Sequence, residues 1–168
     1  LTQAIGVIMG ANIGTTFTAW IIALFGFKAD ISILAVPLMA AGFIMSISKK
    51  GKIKDIGEIV VGFSLLFLGL SFMKNSVPDL QSTPEALSFI QSWSGHGLWS
   101  ILLFVAVGTV LTLVLQSSSA TVALTLIVLN MGWIKFDMAA AMVLGENIGT
   151  TITANIAAAM SNLIQPML

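Results

Sequence analysis

The sequence predicts an all-α membrane protein with inverted-topology repeats, a re-entrant hairpin and broken transmembrane helices. Three observations lead to this fold class: few charges, long apolar runs, and a ten-residue motif that occurs twice. Of the 168 residues, 57% are hydrophobic and 8% are charged, and the mean hydropathy is +1.03. Soluble domains carry about 25% charged residues because their surface faces water. We therefore expect most of this surface to face a lipid bilayer.

The composition also excludes several classes of function. The formal net charge is zero, so no basic field would attract nucleic acid. Cysteine is absent, which rules out a disulfide framework and a thiolate metal site. Arginine is absent too, so any bound anion must be held without a guanidinium group. We expect no cofactor, and the bilayer is the first partner that the composition implies.

Charged and turn residues divide the chain into apolar blocks. The blocks 31–48 and 56–73 are 18 residues long, close to the roughly 20 needed to span the hydrocarbon core. The run 98–115 meets a polar serine tip, and the apolar stretch after this tip is too short to cross, which predicts a re-entrant hairpin buried in protein. We interpret residues 1–168 as a single transmembrane transporter domain. The second half of repeat 1 is expected at 1–27, two connecting spans within 31–73, and a loop at 74–97. Repeat 2 is expected at 98–164 and consists of the hairpin 98–131 and a broken helix 137–164.

Lysines indicate the orientation of the chain. Four of them lie between Lys49 and Lys54, so the positive-inside rule predicts that the loop 49–55 is cytoplasmic. The loop 74–97 is then extracytoplasmic, and the segment Thr83–Trp93 within it is typical of a short interfacial helix. We expect a multi-pass protein of the plasma (inner) membrane.

A duplicated motif is the strongest internal signal. Residues 10–19 and 145–154 are identical at eight of ten positions, and both copies place Gly, Asn and Thr inside apolar blocks. Two spans and the serine hairpin separate the copies, which makes an even number of passes. The second copy therefore runs antiparallel to the first, as in the inverted-topology repeats of many secondary transporters.

The order of the motifs resembles a known family. The segment Gln116-Ser117-Ser118-Ser119-Ala120-Thr121, followed by Gly-x-Asn-Ile-Gly-Thr-Thr, is similar to the core repeat of the type II sodium–phosphate cotransporter family. In that family each repeat pairs a glutamine–serine hairpin with a broken helix. The resemblance implies sodium-coupled phosphate symport by alternating access, with inorganic phosphate and sodium as partners. It also implies that the hairpin of the first repeat precedes Leu1, so we expect an interior fragment of a longer protein. A homodimer is left open.

The motif residues offer only neutral ligands for the two ions. Because no lysine lies within the motifs, an anion would rest on hydroxyls, an amide and backbone N–H groups at half-helix N-termini. Bound sodium would supply the missing positive charge, held by hard oxygen ligands that include carbonyls freed at the helix breaks. The expected phosphate ligands are Gln116, Ser117, Ser118, Ser119 and Thr121, and the expected sodium ligands are Asn12, Thr15, Thr16, Asn147, Thr150 and Thr151.

The two copies of the motif differ at Glu146, because the first copy has Ala11 at the equivalent position. An acidic residue beside an anion site is unexpected, and intramembrane acids are functional candidates by default. We expect Glu146 to act as a coupling acid that favours a cation or a proton. The alternative is a structural partner in the missing segment.

Other interpretations remain open at this point. Isolated threonines such as Thr109 and Thr112 are expected to bond the carbonyl four residues earlier or to pack helices closely. An intramembrane serine hydrolase would need a base near its serine, but the lone His96 lies in the outer loop, so we expect no enzyme activity. The remaining alternatives are sodium-coupled transport of another small anion, such as a dicarboxylate, and a non-transporting phosphate-signalling membrane scaffold.

Overall fold

The protein is helical throughout the part that the computed structural model describes, which is residues 2–26, 31–77 and 84–164. No strand occurs in these ranges, so the all-α prediction is confirmed for them. A short 3₁₀ turn, Trp93–Gly95, follows the fourth helix. The α-helices are α1 (Thr2–Phe25), α2 (Ile31–Ser46), α3 (Gly51–Ser76), α4 (Pro84–Ser92), α5 (Leu98–Leu115), α6 (Ser118–Asn130) and α7 (Phe136–Ile164).

Length and surface character are typical of a membrane protein. By length and composition, α3 and α5 could each cross a bilayer. The 13 residues of α6 rise about 20 Å, which is less than the hydrocarbon core of about 30 Å. Large apolar side chains cover the outer faces of the helices, for example Phe17 at 69% exposed and Trp99 at 78% exposed. Exposure of so many large apolar side chains is favourable against lipid and unfavourable against water.

The prediction of broken helices is wrong for both copies of the motif. Helix α1 runs without interruption through the first copy, and α7 runs without interruption through the second. The motif threonines bond carbonyls of these continuous helices: Thr16 Oγ1 donates to the Asn12 carbonyl at 3.1 Å, and Thr151 Oγ1 donates to the Asn147 carbonyl at 2.9 Å. A glycine in a helix interior costs only about 1 kcal/mol, which the surrounding turns tolerate.

Charged residues extend one helix into a predicted loop. Helix α3 begins at Gly51, so most of the expected loop 49–55 is helical. Lys54 Nζ lies 3.7 Å from Glu58 Oε1 one turn later, and both side chains are exposed. A four-residue spacing supports such a pair on a solvated helix. The expected helix Thr83–Trp93 is confirmed as α4, Pro84–Ser92.

The chain divides into two compact units, the first of which is residues 20–78. In it α2 packs closely on α3, because Gly42 and Gly57 face the opposite helix, and a Cβ on Gly42 would lie 2.9 Å from Val60 Cγ1. At the end of α1 in the same unit, Lys74 Nζ donates to the Gly26 carbonyl at 2.8 Å. A cation at this position stabilises the carbonyl end of a helix.

The second unit comprises residues 1–19 and 79–168. Its core is formed where α7 packs on α5 and on α6. The buried apolar side chains of this core are Phe104, Val128, Ile134, Met138, Ala139, Ala141 and Met142. All predicted ligand residues belong to this unit.

Candidate functional site

A tight turn between α5 and α6 forms the tip of a helical hairpin. Gln116 adopts a left-handed conformation with φ 53°, and its N–H donates to the Thr112 carbonyl at 2.8 Å. Ser117 is extended, and its Oγ accepts a hydrogen bond from the N–H of Ala120 at 3.3 Å, which caps α6. A non-glycine residue in the left-handed region carries strain of about 1 kcal/mol. The turn therefore holds an exposed glutamine amide where glycine would be less strained.

The first copy of the motif contacts this tip. Thr15 Oγ1 of α1 lies 3.2 Å from Ser118 Oγ, on the first turn of α6, and either hydroxyl can donate. Both side chains are half-buried. The same Thr15 hydroxyl lies 3.2 Å from the Ala11 carbonyl. One residue of the expected sodium set and one residue of the expected phosphate set are thus brought together.

The second copy lies against α5 through its glycines. A Cβ on Gly145 would collide with the Val105 carbonyl, and a Cβ on Gly149 would lie 2.7 Å from Thr112 Cβ. Thr109 Oγ1 donates to the Gly145 carbonyl at 3.0 Å across the helix interface. Small residues that let backbones approach closely are typical of helix packing in membranes. The motif glycines therefore set the distance between α5 and α7.

Glu146 faces α6 and is 1% exposed. Its Oε1 accepts a hydrogen bond of 2.7 Å from Thr125 Oγ1, and Thr125 is 0% exposed. Within the described part of the chain, Oε2 of Glu146 is buried and has no hydrogen-bond partner. Among the described residues, a single hydroxyl group therefore holds the carboxyl group of Glu146 inside the second compact unit.

Several predicted ligands bond their own helix. Thr121 Oγ1 donates to the Ser117 carbonyl at 2.9 Å, and Thr150 Oγ1 donates to the Glu146 carbonyl at 2.9 Å. Asn147 Nδ2 donates to the Val143 carbonyl at 3.2 Å. Each of these groups keeps an oxygen that can still accept or coordinate. The expectation for Thr109 and Thr112 is confirmed, since both bond the carbonyl four residues earlier.

Comparison with known proteins adds the family to this geometry. The sequence profile of the family described as Na+/Pi-cotransporter matches residues 1–75 and 90–168. The chain belongs to the Na+/Pi-cotransporter family. The resemblance drawn from the glutamine–serine segment and the duplicated motif is thereby confirmed.

Relatives of the chain are longer proteins. It is 32% identical over 159 residues to "Uncharacterized protein YqeW" of Bacillus subtilis, covering 93% of this chain and 48% of that protein. It is 27% identical over 155 residues to "Putative inorganic phosphate export protein YjbB" of Salmonella typhimurium and of Escherichia coli, covering 92% of this chain and 27% of those proteins. The chain thus spans about half of YqeW and about a quarter of YjbB. No solved structure matches the chain.

Within this member of the Na+/Pi-cotransporter family, the other predicted ligands are dispersed around the tip and the motifs. Gln116 and Ser117 are exposed, Ser119 is half-buried and Thr121 is fully buried. Of the sodium set, Asn12, Asn147 and Thr150 are half-buried, whereas Thr16 and Thr151 are exposed.

Sequence reasoning missed Thr125, the residue that holds Glu146. The spacing was a usable signal, because Thr125 follows Thr121 by four residues and so shares its face of α6. It also did not identify α7 as the helix that Thr109 contacts, because a single sequence does not show which helices meet.

Proposed function

We propose that this chain forms part of a sodium-coupled phosphate symporter that works by alternating access. The hydrogen bond between Thr15 and Ser118 is the observation that carries the proposal. It joins the motif on α1 to the serine tip of the hairpin, so groups expected to bind the cation and groups expected to bind the anion are neighbours. Membership of the Na+/Pi-cotransporter family supports the identity of both ions.

The phosphate would rest on the tip between α5 and α6. Its ligands in the proposal are Gln116, Ser117, Ser118, Ser119 and Thr121, together with N–H groups at the start of α6. A helix N-terminus supplies only about half a positive charge, which is too little for a multiply charged anion removed from water. No lysine is present on α5, α6 or α7 among the described residues, so the remaining charge must come from a bound cation.

Sodium bound by residues of the two motif copies would supply that positive charge. Because α1 and α7 are unbroken, the ligands in the proposal are side-chain oxygens and not carbonyls freed by a break. They are those of Asn12, Thr15, Thr16, Asn147, Thr150 and Thr151. Coupling follows because neither ion is well stabilised without the other. Each net charge moved inward gains about 2.3 kcal/mol per 100 mV, which corresponds to roughly 50-fold accumulation.

The proposed topology places the two motif copies in opposite orientations. Helices α2 and α3 cross the membrane, and the α5–α6 hairpin re-enters, with α6 too short for an ordinary span. The segment 49–55 is then cytoplasmic and the segment 74–97 extracytoplasmic in a plasma (inner) membrane protein. A hairpin equivalent to α5–α6 would pack on the first copy, since a Cβ added to Gly10 or Gly14 would have no described atom within 4 Å.

A second direction of transport has specific support. The YjbB relatives carry the name of an inorganic phosphate export protein, so the same site could move phosphate outward under other gradients. Export and import by one carrier need the same ligands, because alternating access is reversible in principle. The direction is therefore decided by measuring flux under defined gradients.

The test uses the full-length protein in proteoliposomes. We expect exchange of labelled phosphate across the membrane, and we expect replacement of sodium by choline to abolish net uptake. Ser118→Ala should raise the KM for phosphate about tenfold, the equivalent of one hydrogen bond to a charged group. Ser92→Ala, an exposed serine on α4, is the matched control and should leave the KM unchanged. Phosphate uptake that is equal in sodium and in choline would refute the coupling.

A further inference from the structure

A groove between α4 and α5 lies outside the proposed ion site. Two cavities form it, one of about 790 Å³ near the turn that joins the two helices and one of about 380 Å³ further along α5. Phe89, Trp93 and Leu103 line both cavities, so the two are neighbouring parts of one groove. Volumes in this range are typical of sites for small organic ligands.

The groove is polar at one end and apolar along the rest of its length. Ser92, His96 and Ser100 line the cavity near the turn. The second cavity is lined by apolar and aromatic side chains alone among the described residues, for example Val107 and Met142. No lysine or carboxylate lines either cavity in the described part of the chain, so the groove does not suit a phosphate ion removed from water.

Ser100 presents a hydroxyl proton at the polar end of the groove. The residue is 2% exposed, and its Oγ accepts a hydrogen bond of 2.9 Å from the N–H of His96. Within the described ranges this is the hydroxyl's one hydrogen bond, so its own proton has no acceptor there. Because buried hydroxyl groups are normally hydrogen-bonded, the occupant of the groove is expected to carry an acceptor oxygen at this end.

The depth and the opening of the groove match one leaflet of a bilayer. From Trp99 to Val107 the groove follows α5 for a rise of about 12 Å, and half of the hydrocarbon core is about 15 Å thick. Trp99 lies at the polar end, and tryptophan is enriched where a membrane meets water. Phe89 is 65% exposed and Trp99 is 78% exposed, so the groove opens on the outer surface of the helices, where lipid lies.

We propose that this groove binds one acyl chain of a membrane phospholipid. The chain lies along α5 in the apolar part, and the phosphate group lies at the polar end, where Ser100 donates a hydrogen bond to one of its oxygens. His96 is exposed at the same end, and an imidazole N–H can donate to a second oxygen. The assignment goes beyond the proposed function and does not depend on phosphate transport.

The chemistry of the apolar part favours an acyl chain over a peptide segment. A non-helical segment of protein in the second cavity would bring backbone N–H and C=O groups, for which the described lining offers no partner. An acyl chain brings no polar group to this depth. Its headgroup supplies acceptor oxygens at the level of Ser100, which are the atoms that the polar end requires.

The first arm of the test counts bound lipid by native mass spectrometry of the full-length protein in a delipidating detergent. We expect one phospholipid per chain to remain on the native protein. Val107→Trp, which fills the apolar part of the groove, should lose this lipid. Val36→Trp is the matched control and should keep it, because Val36 is exposed on α2 in the other compact unit. The proposal is overturned if the native protein keeps no lipid, or if both variants keep it equally.

The second arm tests the polar end by titrating the delipidated protein with phosphatidylethanolamine. Ser100→Ala should raise the Kd about tenfold, because one hydrogen bond to a charged oxygen is lost. Ser88→Ala is the matched control and should leave the Kd unchanged, since Ser88 is exposed on α4 and bonds the Glu85 carbonyl of its own helix. Equal Kd values for the two variants would show that the headgroup does not lie at Ser100.

The third arm identifies the occupant and decides the question if Val107→Trp fails to fold. Leu102, half exposed at the rim, is replaced by the photoreactive residue p-benzoylphenylalanine, and irradiation follows transfer into the delipidating detergent. A product heavier by one phospholipid supports the proposal, and the same replacement of Val36 should capture no lipid. Capture of another segment of the protein, or of a second copy, overturns it.

These outcomes are separate from those of the transport assay. The lipid count decides the present proposal whether or not Val107→Trp exchanges phosphate. If the native protein shows no phosphate counterflow but retains its lipid, the proposed function fails and the lipid site stands. If counterflow is observed and no lipid is retained, the lipid site is wrong and the proposed function stands.

Discussion

Replacing Gly145 by alanine tests the close packing of α5 against α7. The new Cβ would collide with the Val105 carbonyl and would lie 2.9 Å from the N atom of Thr109. Both neighbours are backbone atoms, so no change of rotamer can relieve the contact. The two helices must move apart, and the hydrogen bond from Thr109 to the Gly145 carbonyl is then stretched or lost.

The expected magnitude follows from three contributions. Overpacking in a tight interface costs about 2 kcal/mol, within a usual range of about 1 to 3. Loss of an interhelical hydrogen bond in a membrane protein adds about 0.6 kcal/mol. Alanine in a helix gains about 1 kcal/mol over glycine. The net destabilisation is about 1.5 kcal/mol, which changes the ratio of folded to unfolded protein roughly tenfold.

The assay measures the unfolding free energy of the full-length protein in detergent by titration with a denaturant. Gly62→Ala on α3 is the matched control, because no described atom lies within 4 Å of its added Cβ. That variant should be as stable as the native protein or more stable by up to about 1 kcal/mol. If Gly145→Ala proves no less stable than Gly62→Ala, the inferred contact between α5 and α7 is wrong.

Two other predictions concern the first motif copy. In a double-mutant cycle of Thr15→Val and Ser118→Ala, we expect a coupling of about 0.6 kcal/mol in the unfolding free energy, which is typical of a hydrogen bond between membrane helices. Additive effects of the two substitutions would argue against the contact. Gly10→Ala in the full-length protein should be destabilising by about as much as Gly145→Ala if a second hairpin packs on α1. A stabilising Gly10→Ala, measured in the same titration, would contradict the proposed packing.

Apolar blocks and the polar residues between them were sufficient to predict that the described residues are helical. The turn between α5 and α6 falls at Gln116 and Ser117, as the interrupted apolar run predicted, because these residues favour a cap over a helix interior. The ends of α3 were less accurately predicted. Lysines at its start are compatible with a helix that extends beyond the apolar span, so charge marks the edge of the membrane and not the end of the helix.

The sequence alone did not predict that α1 and α7 continue as helices through the two copies of the motif. Glycine and asparagine within an apolar run suggest a break, since both have low helix propensity. In α7 tertiary packing decided otherwise, because Gly149 fits against Thr112. Such packing depends on which helices meet, and a single sequence does not contain that information.

The environment of Glu146 could be predicted only in part from the sequence. Its position inside an apolar block was enough to single it out as a functional candidate. Its partner, Thr125, lies on a different helix and 21 residues earlier, so the pair could be recognised only once α6 and α7 had been placed side by side. The family membership of the chain, in contrast, followed from the spacing of two short motifs.

The difference between Glu146 and Ala11 has a consequence for the energetics of the proposed cycle. Two identical halves related by inversion would give inward-open and outward-open forms of equal energy, since each form is the counterpart of the other across the membrane plane. A single acid, present in one half and replaced by a methyl group in the other, removes that degeneracy. The resting preference of the carrier for one side of the membrane would then depend on which half carries the acid, and swapping the two residues should reverse it.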